Sequence, residues 1–433
     1  MKKIIEFLEK HFVPVAGRIG SQRHLVAVRD GFCSIMPLVI AGSLAVLINA
    51  FPAKGYQKLM AGIFGGESWK SLGGNIWNGT FALMSLLIVF SIAYNLAKSY
   101  DSDALQSGLV AFACLGMLFA PSKDGNLPFA FLGTSGLFVA IFVAIVSTEI
   151  FVRLAANPKL VIKMPDGVPP AVSKSFAALL PGMIVLVIFS LFRCLLVTIG
   201  VTDLHQLIFD VIQKPLMGLA DSFGSAIIVV FLVHLLWFFG LHGTNIMEPI
   251  MQSIYVPLIK ENIEAFQAGK VGEQIPHIVT KSFFDAFVYQ GGAGTCLCLL
   301  TAIYIVSKRK QMRTIANLGI VPSWFNINEP VLFGLPIVLN PMLLIPFILI
   351  PLVLTVISYF AIYTGLVPRT IALLPWTTPP IMGGFVATGS IRGALLCIFN
   401  LIVGIAMYIP FIIASEKIEK QYEVGANQNI SQN

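Results

Sequence analysis

The chain has 433 residues and a formal net charge of +7; 57% of its residues are hydrophobic and only 11% are charged, whereas a soluble domain has about 25% charged residues. With a mean hydropathy of +0.85, this composition excludes a water-soluble globular protein and predicts a lipid bilayer as the main solvent. The excess of basic residues fits membrane topology and attraction to anionic lipid, and no basic segment interleaved with aromatic residues indicates a nucleic-acid partner.

Uncharged apolar runs recur along the whole chain. About 20 apolar residues are needed to cross roughly 30 Å of hydrocarbon as a helix, and most of the runs approach that length. The run at 331–368 is too long for one crossing and must fold back. We therefore predict an all-α polytopic membrane protein with about ten transmembrane helices plus re-entrant hairpins. The runs are residues 32–51, 80–97, 104–120, 129–148, 176–192, 223–241, 286–307, 331–368, 370–391 and 393–415.

The N-terminal segment places Ile4, Ile5 and Leu8 at helical spacing, which predicts an amphipathic helix on the inner leaflet. Its long basic stretch and the missing small-residue cleavage pattern argue against a cleaved signal peptide. Basic residues also cluster at 308–313 and after the last apolar run. Because such clusters stay in the cytoplasm, we expect both termini of this multi-pass protein on the cytoplasmic side.

The distribution of polar residues and helix breakers changes near the middle of the chain. Up to residue 200 the apolar runs read as ordinary membrane helices, whereas residues 201–222 are mildly amphipathic and predict an interfacial connector. Residues 223–415 mix polar residues and helix breakers into apolar sequence. Broken helices are tolerated at membrane depth only where they are buried in protein or line a wet cavity. We therefore assign residues 1–200 to a scaffold and dimerisation domain, 223–415 to ligand binding and transport, and 416–433 to a cytoplasmic tail.

The first polar interruption in that second half is centred on His242, with Thr244 and Asn245 just after it. Gly243 lets a backbone or a ligand approach closely, and a neutral imidazole can both donate to and accept from hydroxyl groups. The alternative is a structural histidine bonded to a backbone carbonyl. His234, inside the preceding apolar run, is more typical of helix packing.

Further along the chain, Glu248-Pro249 has the same Glu-Pro dipeptide as Glu329-Pro330 later in the sequence. Lys281 and Asp285 are spaced to form an i,i+4 ion pair. The glycine-rich stretch that contains Gly292 and Gly294 has two open interpretations. It is either a tight hairpin tip with backbone amides facing a ligand or a close contact between helices.

Glu329 is the strongest candidate for chemistry, because it is the sole carboxylate between Arg313 and Glu416. Pro330 biases it away from helical geometry, and an acid at membrane depth is rare without a partner or a cavity. Asn326 and Asn328 flank it, and together they could bind sugar hydroxyls without a metal. The alternative is a helix cap, which is compatible with a binding role.

Trp376 lies among prolines and could stack on the apolar face of a pyranose or belong to an interfacial aromatic belt. The six cysteines lie in or beside apolar runs, which favours buried, inert thiols. We predict neither a metal site nor a cofactor.

Several segments together resemble the lactose/cellobiose family of phosphotransferase system enzyme IIC proteins, and the likeness extends from Met1 to about Lys420. Diacetylchitobiose and cellobiose permeases are the members it resembles most. The segments that carry the likeness are His11–Ala16, Asp30–Phe32, Pro37–Ser43, Phe239–Gly243, Gly291–Thr295 and Phe325–Gly334.

The resemblance implies a bacterial plasma-membrane permease that forms a homodimer of about ten-helix protomers. It implies that a disaccharide is phosphorylated as it arrives, by a phosphocysteine on a separate enzyme IIB, so this chain would be the sugar-binding subunit of the phosphotransferase. It also implies that Glu329 and His242 belong to the catalytic site. Asn326, Asn328, Thr244, Asn245, Gly292, Gly294 and Trp376 are the expected substrate-binding residues.

A second hypothesis is a proton- or ion-coupled secondary transporter that uses Glu329 as its coupling acid. Such carriers usually show several intramembrane acids or an acid–base pair, and the second half of this chain shows mainly Glu329. We therefore favour the phosphotransferase permease.

Overall fold

The computed structural model describes residues 18, 21–49, 55–120, 125–162, 164–165, 167–239, 241–335, 337 and 341–430, with the side chains at 43, 333, 341, 342, 344 and 417–430 left aside. Across these ranges the chain is helical and contains no β-strand, which agrees with the predicted all-α class. The predicted amphipathic helix at the N-terminus lies almost wholly outside the described residues.

In the described residues of the first half there are seven α-helices. Asp103 accepts a hydrogen bond from the backbone N–H of Gln106 (3.0 Å) and so caps the helix that begins at Ala104. Pro170 is the first residue of the longest of the seven, at a position where a missing N–H costs nothing. The helices are α1 (Arg23–Asn49), α2 (Tyr56–Phe64), α3 (Lys70–Gly79), α4 (Met84–Lys98), α5 (Ala104–Leu118), α6 (Leu137–Ala155) and α7 (Pro170–Thr198).

The second half breaks its helices repeatedly, and three π-helical segments (Phe209–Gln213, Met251–Tyr255 and Phe284–Val288) interrupt it. Such segments are rare and occur often at functional sites. The helices are α8 (Leu204–Ile208), α9 (Lys214–Ala220), α10 (Phe223–Phe238), α11 (Gly243–Ile250), α12 (Val256–Gln267), α13 (Lys281–Phe283), α14 (Cys296–Val306), α15 (Lys310–Trp324), α16 (Glu329–Gly334), α17 (Pro341–Tyr363), α18 (Pro380–Thr388) and α19 (Ile391–Ile430).

Six helices in the described ranges are long and apolar enough to cross a membrane, and a seventh crossing exists if the bent pair 204–220 and 223–238 counts as one span. The predicted count of about ten is therefore not confirmed. The shortfall has a physical reason: α14 has 11 residues, which at 1.5 Å per residue covers about 16 Å, roughly half of the hydrocarbon core. Apolar length in the sequence does not reveal where the helix breaks.

The hydrophobic side chains form two main cores. One joins α1 and α4 to α7, with large side chains such as Phe81 and Phe151 fully buried. The other lies among α10, α14, α17 and α19 and includes Trp237 and Phe347. Helix α12 belongs to the second half of the sequence, yet it inserts Val256, Ile259 and Ile263 into the first core. The two halves therefore share a contact surface.

An ionic junction fixes the entry to the second half. The chain bends by 82° between α9 and α10, and Asp221 at the bend accepts hydrogen bonds from the backbone of Ile278 (3.0 Å) and Val279 (2.9 Å). His277 bridges Asp221 (2.9 Å) and Glu261 (2.6 Å). Burial lowers the pKa of His277, but hydrogen bonds and charge from the two carboxylates outweigh this and raise it to about 9. The junction positions the segment that leads into α13.

Candidate functional site

Three breaks in the second half meet at Asn326. Its side-chain oxygen accepts a hydrogen bond from the backbone N–H of Gly291 (2.8 Å). Its side-chain nitrogen donates to the carbonyl oxygens of Trp376 (2.6 Å) and Thr378 (3.0 Å). Asn326 itself has a left-handed backbone (φ 62°), which asparagine tolerates better than most residues. One side chain thus ties the glycine-rich turn, the Asn-Glu-Pro turn and the proline-rich loop together.

The glycine-rich stretch is a turn whose backbone approaches the Asn-Glu-Pro turn closely. A Cβ atom on Gly292 would lie 2.7 Å from the Asn326 carbonyl oxygen and 2.7 Å from Cβ of Asn328, and the φ of Gly292 is +89°. Asn328 donates from its side-chain nitrogen to the Ala293 carbonyl (3.0 Å). The amide groups of both asparagines therefore engage backbone atoms of neighbouring turns, which sequence reasoning did not foresee.

His242 and Glu329 face each other across 87 residues of sequence, with 3.3 Å between Nε2 and Oε1. The backbone N–H of Asn245 donates to Nδ1 of His242 (3.2 Å), and the Thr244 hydroxyl lies 3.0 Å from the same nitrogen. Because Nδ1 accepts a hydrogen bond, the neutral ring carries its proton on Nε2 and donates to Glu329. The indole of Trp237 lies 4.2 Å from the imidazole, centroid to centroid, and fixes its plane.

Glu329 is both a helix-terminal residue and a cavity residue. It is the first residue of α16, with Asn328 at the N-cap and Pro330 after it, one position later than the capping alternative placed it. Its side chain is 42% exposed and lines the cavity. Oε1 accepts the hydrogen bond from Nε2 of His242, whereas Oε2 has no hydrogen-bond partner among the described residues. Oε2 is thus an unpaired acceptor on a side chain that lines the cavity.

A cavity of about 340 Å³ collects most of the predicted site residues, and its size lies within the usual range for small-molecule sites. Gly294 is the exception: a Cβ there would meet the ring of Phe347, and its carbonyl accepts the Tyr408 hydroxyl. The predicted residues that line the cavity are His242, Thr244, Asn245, Gly292, Asn326, Asn328, Glu329 and Trp376.

The cavity also contains polar groups that the sequence did not assign to it. Lys281 and Asp285 form the i,i+4 ion pair that their spacing predicted, with Nζ 2.9 and 2.8 Å from the two carboxylate oxygens. Glu248 accepts a hydrogen bond from Gln252 (2.5 Å), and Tyr289 completes the group. Cys33 and Met36 of α1 close the cavity from the first half.

His234 lies outside this cavity and is fully buried. Its Nδ1 is 2.6 Å from the carbonyl oxygen of Val230, one turn earlier in α10. This is the helix-packing histidine that the sequence favoured.

The site therefore offers acceptors (Glu329, Glu248 and Asp285), donors (Lys281 and Tyr289) and an exposed aromatic face, Trp376. Mixed donors and acceptors beside an aromatic ring suit a polyhydroxyl ligand. An apolar ligand would leave these groups unpaired.

Comparison with known proteins agrees with this chemistry. The family described as phosphotransferase system, EIIC, matches residues 29–351, which is most of the chain. The protein belongs to this family of membrane permease components of sugar phosphotransferase systems. Family membership gives no support to the ion-coupled transporter.

Individual relatives match along nearly the whole length. The cellobiose-specific EIIC component of Geobacillus stearothermophilus is 42% identical, over 100% of this chain and 98% of that protein. The lichenan permease IIC component of Bacillus subtilis (strain 168) is 41% identical, over 95% of this chain and 93% of that protein. The crystal structure of the transporter ChbC, the IIC component of an N,N'-diacetylchitobiose-specific phosphotransferase system, superposes with a TM-score of 0.90. It is 40% identical and covers 97% of this chain and 99% of its own.

Proposed function

We propose that this permease translocates a β-linked disaccharide of the cellobiose or diacetylchitobiose type and presents it for phosphorylation by a phosphocysteine on a separate IIB protein. Similarity to relatives named for such sugars supports the substrate class. Of the six cysteines that the sequence predicted to be buried, Cys114, Cys296, Cys298 and Cys397 are buried, whereas Cys33 and Cys194 are exposed. Relatives that match over nearly their whole length are named as IIC components, which supports a phosphoryl donor on another chain.

The observation that carries the proposal is the half-satisfied carboxylate of Glu329. Oε1 is held by His242, Oε2 is buried without a hydrogen-bond partner among the described residues, and Glu329 lines the cavity. A sugar hydroxyl that donates to Oε2 would be oriented by a fixed acceptor. Phosphoryl transfer depends mostly on positioning and charge stabilisation. In this proposal Glu329 orients the 6-hydroxyl group of the sugar for the transfer, and His242 holds Glu329 in place. Asn326 and Asn328 act as positioning residues.

The organisation of the protein follows from the same proposal. We infer that residues 1–200 form the scaffold through which two copies dimerise, and that residues 223–415 form the sugar-carrying domain, joined by the connector at 201–222. The largely separate hydrophobic cores support this division. About ten membrane passages, counting re-entrant segments, and cytoplasmic termini complete the proposed topology, supported by the basic residues at 308–313 and near Glu416.

The test is Glu329→Gln, which keeps the shape of the side chain and removes its charge. Because hydrogen bonds to charged groups are worth roughly 1.5–3 kcal/mol, we expect disaccharide affinity to fall about tenfold or more and IIB-dependent phosphorylation at saturating sugar to fall as well. His242→Ala should weaken binding with less effect on the saturated rate. Binding is measured on purified protein, and phosphorylation with phosphorylated IIB.

Glu67→Gln is the matched control, because Glu67 is exposed, pairs with Lys70 and is not part of the cavity lining. It should bind and phosphorylate like the parent. If Glu329→Gln also behaves like the parent, Glu329 serves only as a helix terminus and the proposed site is misplaced. Sugar uptake by vesicles that lack phosphoenolpyruvate and the phosphotransferase proteins, driven by a proton gradient, would contradict the proposed function itself.

A further inference from the structure

A second polar group lines the cavity apart from the Glu329–His242 pair. It consists of Glu248, Tyr289 and the Lys281–Asp285 ion pair. The charges that act most strongly on Glu248 come from Lys281 and Asp285, whereas His242 is the charge that acts on Glu329. We call this group the Tyr289 pole and the Glu329–His242 pair the Glu329 pole.

Tyr289 provides the observation that points to a ligand. Its side chain is buried, with 9% of the residue exposed, and its hydroxyl has no hydrogen-bond partner among the described residues. Buried tyrosine hydroxyls usually find a partner, because leaving one unpaired costs free energy. Since Tyr289 lines the cavity, a ligand hydroxyl is the natural partner.

The polar neighbours of Tyr289 are themselves buried or hydrogen-bonded. Lys281 and Asp285 are nearly inaccessible, with side chains 7% and 6% exposed, and a buried ion pair needs good geometry and additional hydrogen bonds to offset desolvation. Glu248 uses one oxygen for Gln252 and interacts electrostatically with Lys281. An ammonium, a phenol and two carboxylates together offer donors and acceptors.

This combination of hydrogen-bond donors and acceptors favours one class of ligand over others. A metal ion would favour a site made of acceptors, and an anion would favour donors. A sugar ring presents hydroxyls that do both. An uncharged polyhydroxyl ring therefore fits the Tyr289 pole better than an ion of either sign.

We propose that the Tyr289 pole binds the second ring of the disaccharide, the ring that is not phosphorylated, and so makes the permease prefer two-ring substrates over a single glucoside. This inference rests on the proposed function, in which the Glu329 pole holds the ring that receives the phosphoryl group. It assigns Tyr289, Glu248 and Lys281–Asp285 as determinants of substrate length.

The primary test is Tyr289→Phe, which removes one hydroxyl and keeps the ring. The KM for IIB-dependent phosphorylation is measured with cellobiose, with diacetylchitobiose and with methyl β-glucoside, together with the melting temperature of the sugar-free protein. We expect KM for the disaccharide that the parent uses to rise about tenfold and KM for the methyl glucoside to stay unchanged. The sugar-free melting temperature should not fall, because the lost hydroxyl had no protein partner.

Tyr255→Phe is the matched control, since the Tyr255 hydroxyl lies 2.7 Å from the hydroxyl of Ser225 and Tyr255 is outside the cavity lining. Its melting temperature should fall while both KM values stay at parental levels. Glu248→Gln is an independent variant that leaves the buried ion pair intact, and it should also raise the disaccharide KM selectively.

The outcomes separate the two proposals. If the parent phosphorylates neither disaccharide, the proposed function is wrong and this inference falls with it. If the parent phosphorylates a disaccharide but Tyr289→Phe and Glu248→Gln leave its KM unchanged, this inference alone is overturned. Equal increases of KM for the disaccharide and the methyl glucoside would also overturn it, because a second-ring contact cannot affect a one-ring substrate.

Discussion

The two halves of the protein place their polar side chains differently. In the first half, Glu149 on α6 lies in a completed network, since it is 2.8 Å from His24, 2.6 Å from Tyr100 and 2.6 Å from Arg153. In the second half polar side chains lie at breaks inside the helical sequence and line a cavity, where Oε2 of Glu329 and the hydroxyl of Tyr289 have no partner among the described residues.

The difference shows how a membrane protein divides structure from binding. A completed network such as the one around Glu149 stabilises the fold and has little left for a ligand. An incomplete network costs stability in the empty protein, and a ligand that supplies the missing partners recovers that cost. Two glycines illustrate the contrast: a Cβ on Gly74 in α3 would have open space around it, whereas one on Gly292 would meet the neighbouring turn.

The largest effect should come from adding one methyl group at Gly292. Gly292→Ala combines a left-handed backbone, which costs an alanine roughly 1–2 kcal/mol, with a clash 2.7 Å from the Asn326 carbonyl oxygen. We expect the two turns to separate and sugar affinity to fall by about 100-fold or more. Sugar binding to purified protein and IIB-dependent phosphorylation measure the loss.

Gly74→Ala is the control from the other half. Because Gly74 is helical with no atom near its added Cβ, the change should stabilise the protein by roughly 0.5–1 kcal/mol and leave sugar binding unchanged. If Gly292→Ala binds sugar normally, the close approach of the two turns is unnecessary for binding. Gly292 would then not differ from Gly74 in its effect on sugar affinity.

A smaller effect is expected at the ionic junction of His277. With its pKa raised from 6.5 to about 9, the protonated histidine contributes stability that is fully present below about pH 6.5 and is lost as pH rises through about 9. The whole shift corresponds to at most roughly 3 kcal/mol. The melting temperature of the detergent-solubilised protein should therefore fall between pH 6.5 and 9.5.

His277→Gln removes the titrating group and provides the comparison for that pH series. Its melting temperature should start lower than that of the parent and converge with it as pH rises. Two curves that stay parallel across this range would show that His277 does not carry the linkage.

The smallest effect concerns α1, the helix of the first half that lines the cavity. Cys33 on α1 is exposed and lines the cavity, so bound disaccharide should slow its alkylation by a maleimide several-fold. Cys194, exposed elsewhere on α7, serves as the internal control, and mass spectrometry distinguishes the two. Equal rates at Cys33 with and without saturating sugar would place the sugar away from α1.

The sequence alone determined the membrane class, and it predicted a change of organisation near residue 200 and a site at Glu329 and His242. These conclusions follow from composition and from isolated polar residues in apolar sequence, which are rare at membrane depth without a partner or a cavity. The i,i+4 spacing of Lys281 and Asp285 also predicted their ion pair, because helical geometry places such residues side by side.

Tertiary structure alone decided which groups meet. His242 and Glu329 are 87 residues apart, and no local rule places Tyr289 or Glu248 in their cavity. Asn326 and Asn328 looked like ligand groups, yet neighbouring turns engage their amides. The number of crossings also depended on the fold, because apolar composition is the same whether a segment spans the membrane or turns back inside the protein. What a side chain does here depends on which backbone atoms reach it, and distant segments supply those atoms.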